Sequence, residues 1–397
     1  MSASLGIMYN NLNYALSINS DALLKLQEQA ATGQRVNRPS DDPSDAYRIL
    51  DLNTQSRMMS NYSQNISDVT DLLEVASTAI ENVQSNIADA RVKATQIITG
   101  TFTDEGSQRN IMGLAINDIL EQVVFLANSQ HLGQYIFGGN DSSTVPYQAQ
   151  RVDNKITSVT YQGSEISRTV EVAPGVTASV TLAGSDVFGA NTSGTPIFYG
   201  TTGAKAGSGT SSVQGDVWLT VTNDGTNYKL SIDDGLTYVT VPAGGSENQA
   251  VTDSRTGKVL YVDTREITST GVEPIRVPGT YDVFGTLISV RDLLLNSKDL
   301  SASQLQELRE KMVDSLDEVD NAIAQQITAV GGKITSLSNL KDTLDTLDAN
   351  ATEQSDTLSQ ADISQVAIDL SRRQTLYQMS LQVAGKMFSL SLLDFIE

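Results

Sequence analysis

Apolar residues recur at alternating steps of four and three early in the chain: Tyr62, Ile66, Val69, Leu73, Ala76, Ile80, Val83, Ile87, Ala90, Ala94 and Ile97. A 3.5-residue repeat is the pattern of a coiled-coil seam, and a helix carrying it over these residues is about 50 Å long. Such a seam needs partner helices. One follows the breaker Thr103-Asp104-Glu105-Gly106, with its stripe at Met112, Ile116, Ile119, Val123 and Leu126. Another comes late: Leu305, Leu308, Met312, Leu316, Val319, Ile323, Ile327, Val330, Ile334 and Leu337, preceded by a shorter apolar stretch from Val283 to Leu295. These flanks predict a long antiparallel helical bundle.

Between Asn140 and Tyr281 the period falls to two and Gly, Thr, Ser and Val dominate. Val217, Leu219 and Val221 alternate with Trp218, Thr220 and Thr222. The turn Asn223-Asp224-Gly225-Thr226 then leads into Tyr228, Leu230 and Ile232, and Asp233-Asp234-Gly235 leads into Thr237, Val239 and Val241. That spacing predicts a meander, with a further hairpin around Pro174-Gly175 joining Ile166–Val172 to Thr177–Leu182. The fold class expected is α+β and multidomain. A helical coiled-coil bundle is built from both termini, with a central β-rich insertion. The expected divisions are 1–43, an assembly helix and linker; 44–140, the first part of the rod; 141–280, the insertion; 281–355, the rest of the rod; and 356–397, a second assembly helix.

The two ends repeat the helical spacing. Leu5, Met8, Leu12, Ala15, Asn19, Ala22 and Leu26 mark one face near the start in steps of three and four, with Leu16, Leu23 and Ala30 widening it. Ile363, Val366, Leu370, Tyr377, Leu381, Ala384, Phe388 and Leu392 mark another, with one polar slot between Leu370 and Tyr377. A terminal helix with nothing of its own to cover an apolar face seeks other helices, so these residues are the expected assembly interface. The linker and cap residues are Gly33, Arg35, Pro39, Asp41, Asp42 and Pro43. Gly33 ends a helix, the two prolines forbid continuing it, and the aspartates offer oxygens to cap the next. The first helix is thereby set off from the long one.

Composition narrows the function. With 26 Lys and Arg against 47 Asp and Glu, the chain carries a formal charge of −21, a field that repels nucleic acid and anionic lipid. No cysteine is present, which removes disulfides and thiol chemistry, and a single histidine, His131, cannot build a histidine metal cluster. No cofactor is expected. Continuous apolar runs are short, so no membrane insertion is expected, and the N-terminus lacks a secretory-type signal. Asp233 with Asp234, and Asp224, are the carboxylates an enzyme would use. Adjacent acids before glycine read instead as turn formers, because neighbours on a strand point to opposite faces. Gly203–Gly209 lacks phosphate-loop spacing. An enzyme is therefore not expected, and Trp218 remains as a possible sugar platform on the insertion.

The segment Ala31-Thr32-Gly33-Gln34-Arg35-Val36-Asn37-Arg38-Pro39-Ser40-Asp41-Asp42-Pro43 resembles the hallmark of the flagellin superfamily, in particular its hook-associated members. Gly133-Gln134-Tyr135-Ile136-Phe137-Gly138-Gly139, Val330-Gly331-Gly332-Lys333-Ile334 and the ending Ser391-Leu392-Leu393-Asp394-Phe395 add to the likeness, as does Ser185-Asp186-Val187-Phe188 more loosely. Gly332 departs from it, since the family often has Ala there. The resemblance covers both flanks. It implies a structural adaptor joining the hook, through the neighbouring hook-associated protein, to the flagellin filament. It also implies self-association in a ring, export by the flagellar type III apparatus, and a cytoplasmic chaperone at the C-terminal region. A flagellin or minor filament subunit is the nearest alternative, and a carbohydrate-binding surface module the alternative from another class.

Overall fold

The computed structural model describes residues 2–99, 105–190 and 194–396, with side chains left out at 2–6, 8–9, 99, 105 and 387–396. Its elements run in chain order. Helices α1 (Ser2–Thr32), α2 (Pro43–Thr99) and α3 (Glu105–Ala127) come first. Strands β1 (Gln130–His131), β2 (Gln134–Tyr135), β3 (Tyr147–Val152), β4 (Lys155–Tyr161), β5 (Thr169–Ala173) and β6 (Val176–Ser179) follow, then the short helix α4 (Gly184–Phe188). The β-rich centre continues with β7 (Ile197–Phe198), β8 (Lys205–Ala206), β9 (Gly215–Asn223), β10 (Tyr228–Ser231), β11 (Val239–Thr240), β12 (Gln249–Thr252), β13 (Val259–Asp263) and β14 (Gly271–Val277). Helices α5 (Val283–Leu295), α6 (Ala302–Ser359) and α7 (Ile363–Ile396) close the chain. The result is α+β: long helices with separate small sheets.

Contacts divide the chain into two units, residues 1–64 with 340–397 and residues 65–339. The second unit holds the seam predicted for α2, and Ile66, Leu73, Ile80, Ile87 and Ala94 in it are all buried. The α6 positions Leu308, Met312, Leu316, Val319, Ile323 and Val330 are buried as well, and Arg91 of α2 pairs with Asp317 of α6. Helices α3 and α5 pack closely. Gly113 permits the approach, because a Cβ there would lie 2.7 Å from Leu295 Cδ2. From α5 the buried Arg291 donates to Asn117 Oδ1 (3.0 Å) and to the carbonyl of Ile156, tying α3, α5 and β4 together.

Helix α3 is more apolar than its short runs suggest. Gly106–Ala127 is long and apolar enough, by length and composition, to cross a membrane. Short uninterrupted runs conceal this, because Asn117-Asp118 and Glu121-Gln122 break the apolar stretch. In the structure Ile116, Ile119, Leu120, Val123 and Val124 are buried, so the helix belongs to the core.

The meander forms as its spacing requires. The five-stranded antiparallel sheet has the order β11-β10-β9-β14-β7, with Val221 opposite Leu230 and Leu219 opposite Glu273. Its inward residues Leu219, Val221, Leu230 and Ile275 share a core with Val251, Leu260 and Val262 of the sheet β12-β13-β8. The third strand is shorter than its alternation suggests. Asp233 takes Thr237 into the turn, accepting from its N–H (2.9 Å) and hydroxyl (2.6 Å) while also holding Ser231 and Ser254. The β5–β6 hairpin likewise starts at Thr169 rather than Ile166, whose N–H is taken by Ser164 Oγ.

Two of the recurrent motifs meet in this unit. Phe137 and Phe188 stand edge to face at 4.9 Å between centroids, and Tyr147 and Phe284 complete the ring cluster. Those motifs supply core aromatics. Trp218 is half-buried opposite Pro274 and borders a cavity of about 310 Å³ beside Lys258 and Phe284.

Candidate functional site

The features singled out in the linker and the terminal helices assemble in the first unit. Helix α1 ends where Gly33 takes a positive φ of 71° and returns its N–H to the carbonyl of Gln29 at 2.8 Å. A Cβ at Gly33 meets nothing within 4 Å, so glycine is required there by the backbone conformation. Pro39 then sits second in the turn Arg38–Asp41, closed by the N–H of Asp41 donating to the carbonyl of Arg38 at 2.9 Å, a position its fixed φ suits. Asp42 caps α2, accepting from the N–H of Asp45 at 3.2 Å, and Pro43 fills the first helical position, where a missing N–H costs nothing.

A second linker, between α6 and α7, closes against this one. Gln34 and Gln360 form an antiparallel bridge, with the N–H of Arg35 donating to the carbonyl of Ser359 (2.6 Å) and that of Ala361 to the carbonyl of Gly33 (2.9 Å). The guanidinium of Arg35 spans the junction, reaching Asp42 (3.0 Å), Asp45 and the carbonyl of Leu358 (3.0 Å). Hydrogen bonds to Asp42 and Asp45 push Arg35 above its ordinary pKa. The N–H of Asp45 and the guanidinium of Arg35 hold Asp42 below the usual carboxylate range. At Asp41 burial pushes upward, but Lys25 at 3.1 Å and the N–H groups of Arg38 and Asn37 outweigh it and leave the carboxyl low. The linkers thus form an ionic clasp at the base of both terminal helices.

Beyond the clasp α1 and α7 pack against one another. Val366 and Ala384 are buried, and Leu12, Leu16, Leu23, Leu26, Leu370 and Tyr377 are half-buried. Ile363 and Leu381 stay exposed. The expectations at Leu5, Met8, Phe388 and Leu392 fall outside the described side chains. Asn19 and the polar slot of the second stripe come together: Arg373 Nη1 donates to Asn19 Oδ1 at 3.1 Å. A polar pair inside an apolar seam fixes register at some cost in stability.

Sequence reasoning missed a second stripe. Ile7, Tyr14 and Ile18 lie seven and four residues apart on one side of α1, and Tyr14 is 70 % exposed. Ile368, Leu376, Met379 and Val383 do the same on α7, with Ile368 62 % exposed. Its signal was present, since the apolar positions of each end exceed what one seam uses. The charges were also readable: the acids Asp21, Glu28, Asp369 and Asp394 are balanced by the bases Lys25, Arg372, Arg373 and Lys386, so α1 and α7 together are neutral in a chain of −21. Among the described residues no group of three or more His, Cys, Asp or Glu is placed to hold a metal.

Residues 4–142 match the family model of the bacterial flagellin N-terminal helical region, a match that includes the Gly33–Pro43 linker and the Gly133–Gly139 motif. The chain is similar to flagellar hook-associated protein 3 of Salmonella typhimurium, 27 % identical over 194 residues, which is 49 % of this chain and 58 % of that protein. It therefore spans under two thirds of the length of that relative. Flagellin of Listeria monocytogenes is 31 % identical over 87 residues, 22 % of this chain and 30 % of that one. The crystal structure of flagellar hook associated protein-3 from Legionella pneumophila superposes with a TM-score of 0.53 at 15 % identity, covering 77 % of this chain and 98 % of that chain, a likeness of fold. The carbohydrate-binding alternative finds no support in these comparisons.

Proposed function

We propose that this chain, whose residues 4–142 are a flagellin-type helical region, is the structural adaptor between hook and filament of a bacterial flagellum. The observation that carries the reading is the state of the terminal helices. They pair with each other, keep apolar stripes in solvent, and carry no net charge, while the rest of the chain is strongly acidic. Neutral helices can be crowded around an axis without the repulsion that −21 charges per copy impose elsewhere. Copies in a ring then bury what one copy leaves open, and mass action makes folding of the ends part of assembly.

On this reading Leu12, Leu16, Leu23, Leu26, Val366, Leu370, Tyr377 and Ala384 join the helices into an inner tube. The heptad helices form a coiled-coil shell around it, and the β-rich centre faces outward. The neighbouring hook-associated protein lies on one side and flagellin on the other. Export through the type III channel suits a chain with no disulfide to reduce before transit, and a cytoplasmic chaperone covers the C-terminal stripe until then. The chemistry is association; no reaction is assigned.

Immunogold electron microscopy of tagged full-length protein tests the reading. One label per flagellum beside the hook is the expected result. Label along the filament would make the chain a filament subunit, and unlabelled flagella would remove it from the structure.

A further inference from the structure

The bases of the terminal pair are gathered in one place. A groove of about 460 Å³ between α1 and α7 is lined by Lys25, Arg372 and Arg373 with Leu26 and Leu376, and Asp369 is its single acid. Lys25 is engaged by Asp41 and Arg373 by Asn19. Arg372 is exposed and makes no hydrogen bond or ion pair among the described residues.

The same unit carries the complementary surface. In the last turns of α6, Asp342, Asp345, Glu353 and Asp356 are all exposed. At 100° per residue they share one helix face over about 21 Å. Lys341 and Ser63 hold Asp345, whereas the carboxylates of Asp342, Glu353 and Asp356 have no ion-pair partner among the described residues. A base-lined groove and an acid ladder exposed on one molecule invite a head-to-tail contact between copies. Such a contact is heterologous, and it makes a ring when the rotation closes. In so acidic a chain like-charge repulsion disfavours most other landing places for the ladder, so complementarity selects this one.

We propose that the groove lined by Lys25, Arg372 and Arg373 receives the α6 acid ladder of a second copy, forming the lateral contact of the ring. This rests on the assembly reading above and names its interface. The ladder approaches side-on, with Arg372 between Glu353 and Asp356 and with Leu376 covered by the aliphatic stems. The linker clasp then fixes the groove against its own α1, so that the contact forms only on a chain whose ends are paired.

The absence of cysteine makes a direct test available. Full-length Leu376→Cys and Ala349→Cys chains are co-expressed in cells lacking the native protein, and their isolated flagella are oxidised. The expected result is a disulfide-linked dimer from the mixture and none from either variant alone, nor from Leu376→Cys mixed with Val176→Cys. A mixture that reaches the flagellum without cross-linking overturns the contact and leaves the adaptor reading standing. Chains absent from flagella, when the parent chain is absent too, overturn both. In a second arm, Arg372→Glu with Arg373→Glu, and Glu353→Arg with Asp356→Arg, are each expected to lower incorporation about tenfold, and co-expression to restore it. Failure of restoration, with both variants folded by circular dichroism, also overturns the contact.

Discussion

Along α2 the seam residues from Ile66 to Ile97 lose nearly all contact with solvent inside the second unit, whereas on α1 and α7 the same three-four spacing leaves Leu12, Leu16, Leu370 and Tyr377 half-covered. The difference is not one of pattern. The second unit holds α3, α5 and the buried part of α6 alongside its stretch of α2, while the terminal pair is two helices with apolar residues on their outer sides as well. Periodicity states which face is apolar; the supply of covering elements decides whether the chain satisfies that face alone. Where it does not, a partner must.

Ile80→Asp probes the covered side and carries the largest effect. Ile80 is fully buried, and an unpaired charge there costs more than about 4 kcal/mol, enough to remove the second unit's transition from a calorimetric scan of the whole protein. A shift of only a few degrees would mean that the seam meets water. Arg276→Met comes next. Arg276 donates to Asp216 at 2.9 Å and to the hydroxyl of Tyr281 at 2.7 Å, and both ion-pair side chains are buried. Removing the cation strands Asp216 at a cost of about 3 kcal/mol, to be read from urea denaturation. Adding Asp216→Asn should recover part of the loss.

Acid should weaken the β core before it weakens the seams. At Asp233 burial favours the neutral form, but the hydroxyls of Ser254, Thr237 and Ser231 and a backbone N–H overcome this and hold the carboxyl far below its ordinary value. At Asp224 the N–H groups of Asn227 and Thr226 with Lys229 bring it to about 2. A lowered carboxylate stabilises fully above its unfolded pKa, about 3.9, and that contribution is lost as pH falls through the folded value. Tryptophan fluorescence of Trp218 should therefore report loosening as pH falls from about 4 towards 2, and Asp233→Asn should flatten that dependence while lowering stability at neutral pH. In the opposite direction, Gly331→Ala with Gly332→Ala should stabilise the second unit by about 1 kcal/mol per site. Both glycines lie inside α6 and a Cβ at either meets nothing within 4 Å. No gain would show that the helix needs its glycines for a reason outside the chain's own packing.

What could be read in advance follows the range of the interaction. The α2 seam, the meander and the caps at Gly33, Asp42 and Pro43 depend on neighbours within a few residues, and their spacing announced them. Arg35 reaching the carbonyl of Leu358, or Arg373 finding Asn19, joins residues more than 300 positions apart, and no local pattern encodes such a pairing. The polar slot in each stripe was visible; that the two slots face each other was not. Phe137 and Phe188 likewise sat in separate motifs whose common ring cluster only the fold reveals. Helix α3 was legible too, since the stripe Ile116, Ile119 and Val123 is the face it buries, although counting only uninterrupted runs understates how apolar the whole helix is.

Leu12→Asp and Leu370→Asp carry the smallest expected effect on the second unit, namely none, and they are the sharpest use of the contrast between the two regions. Both residues belong to the first unit and neither contributes to the buried seam of α2. Their faces are half-covered in the single molecule, so a charge there keeps much of its hydration and the chain folds. In the proposed ring, sister helices would pack the same position, removing hydration and making the charge prohibitive. Unchanged calorimetry of the second unit together with protein shed into the medium instead of retained at the flagellum is the expected pair of results. Normal retention would mean that these faces meet solvent in the assembly as they do in the single chain, and a collapse of the second unit's transition would mean that the two regions are not independent.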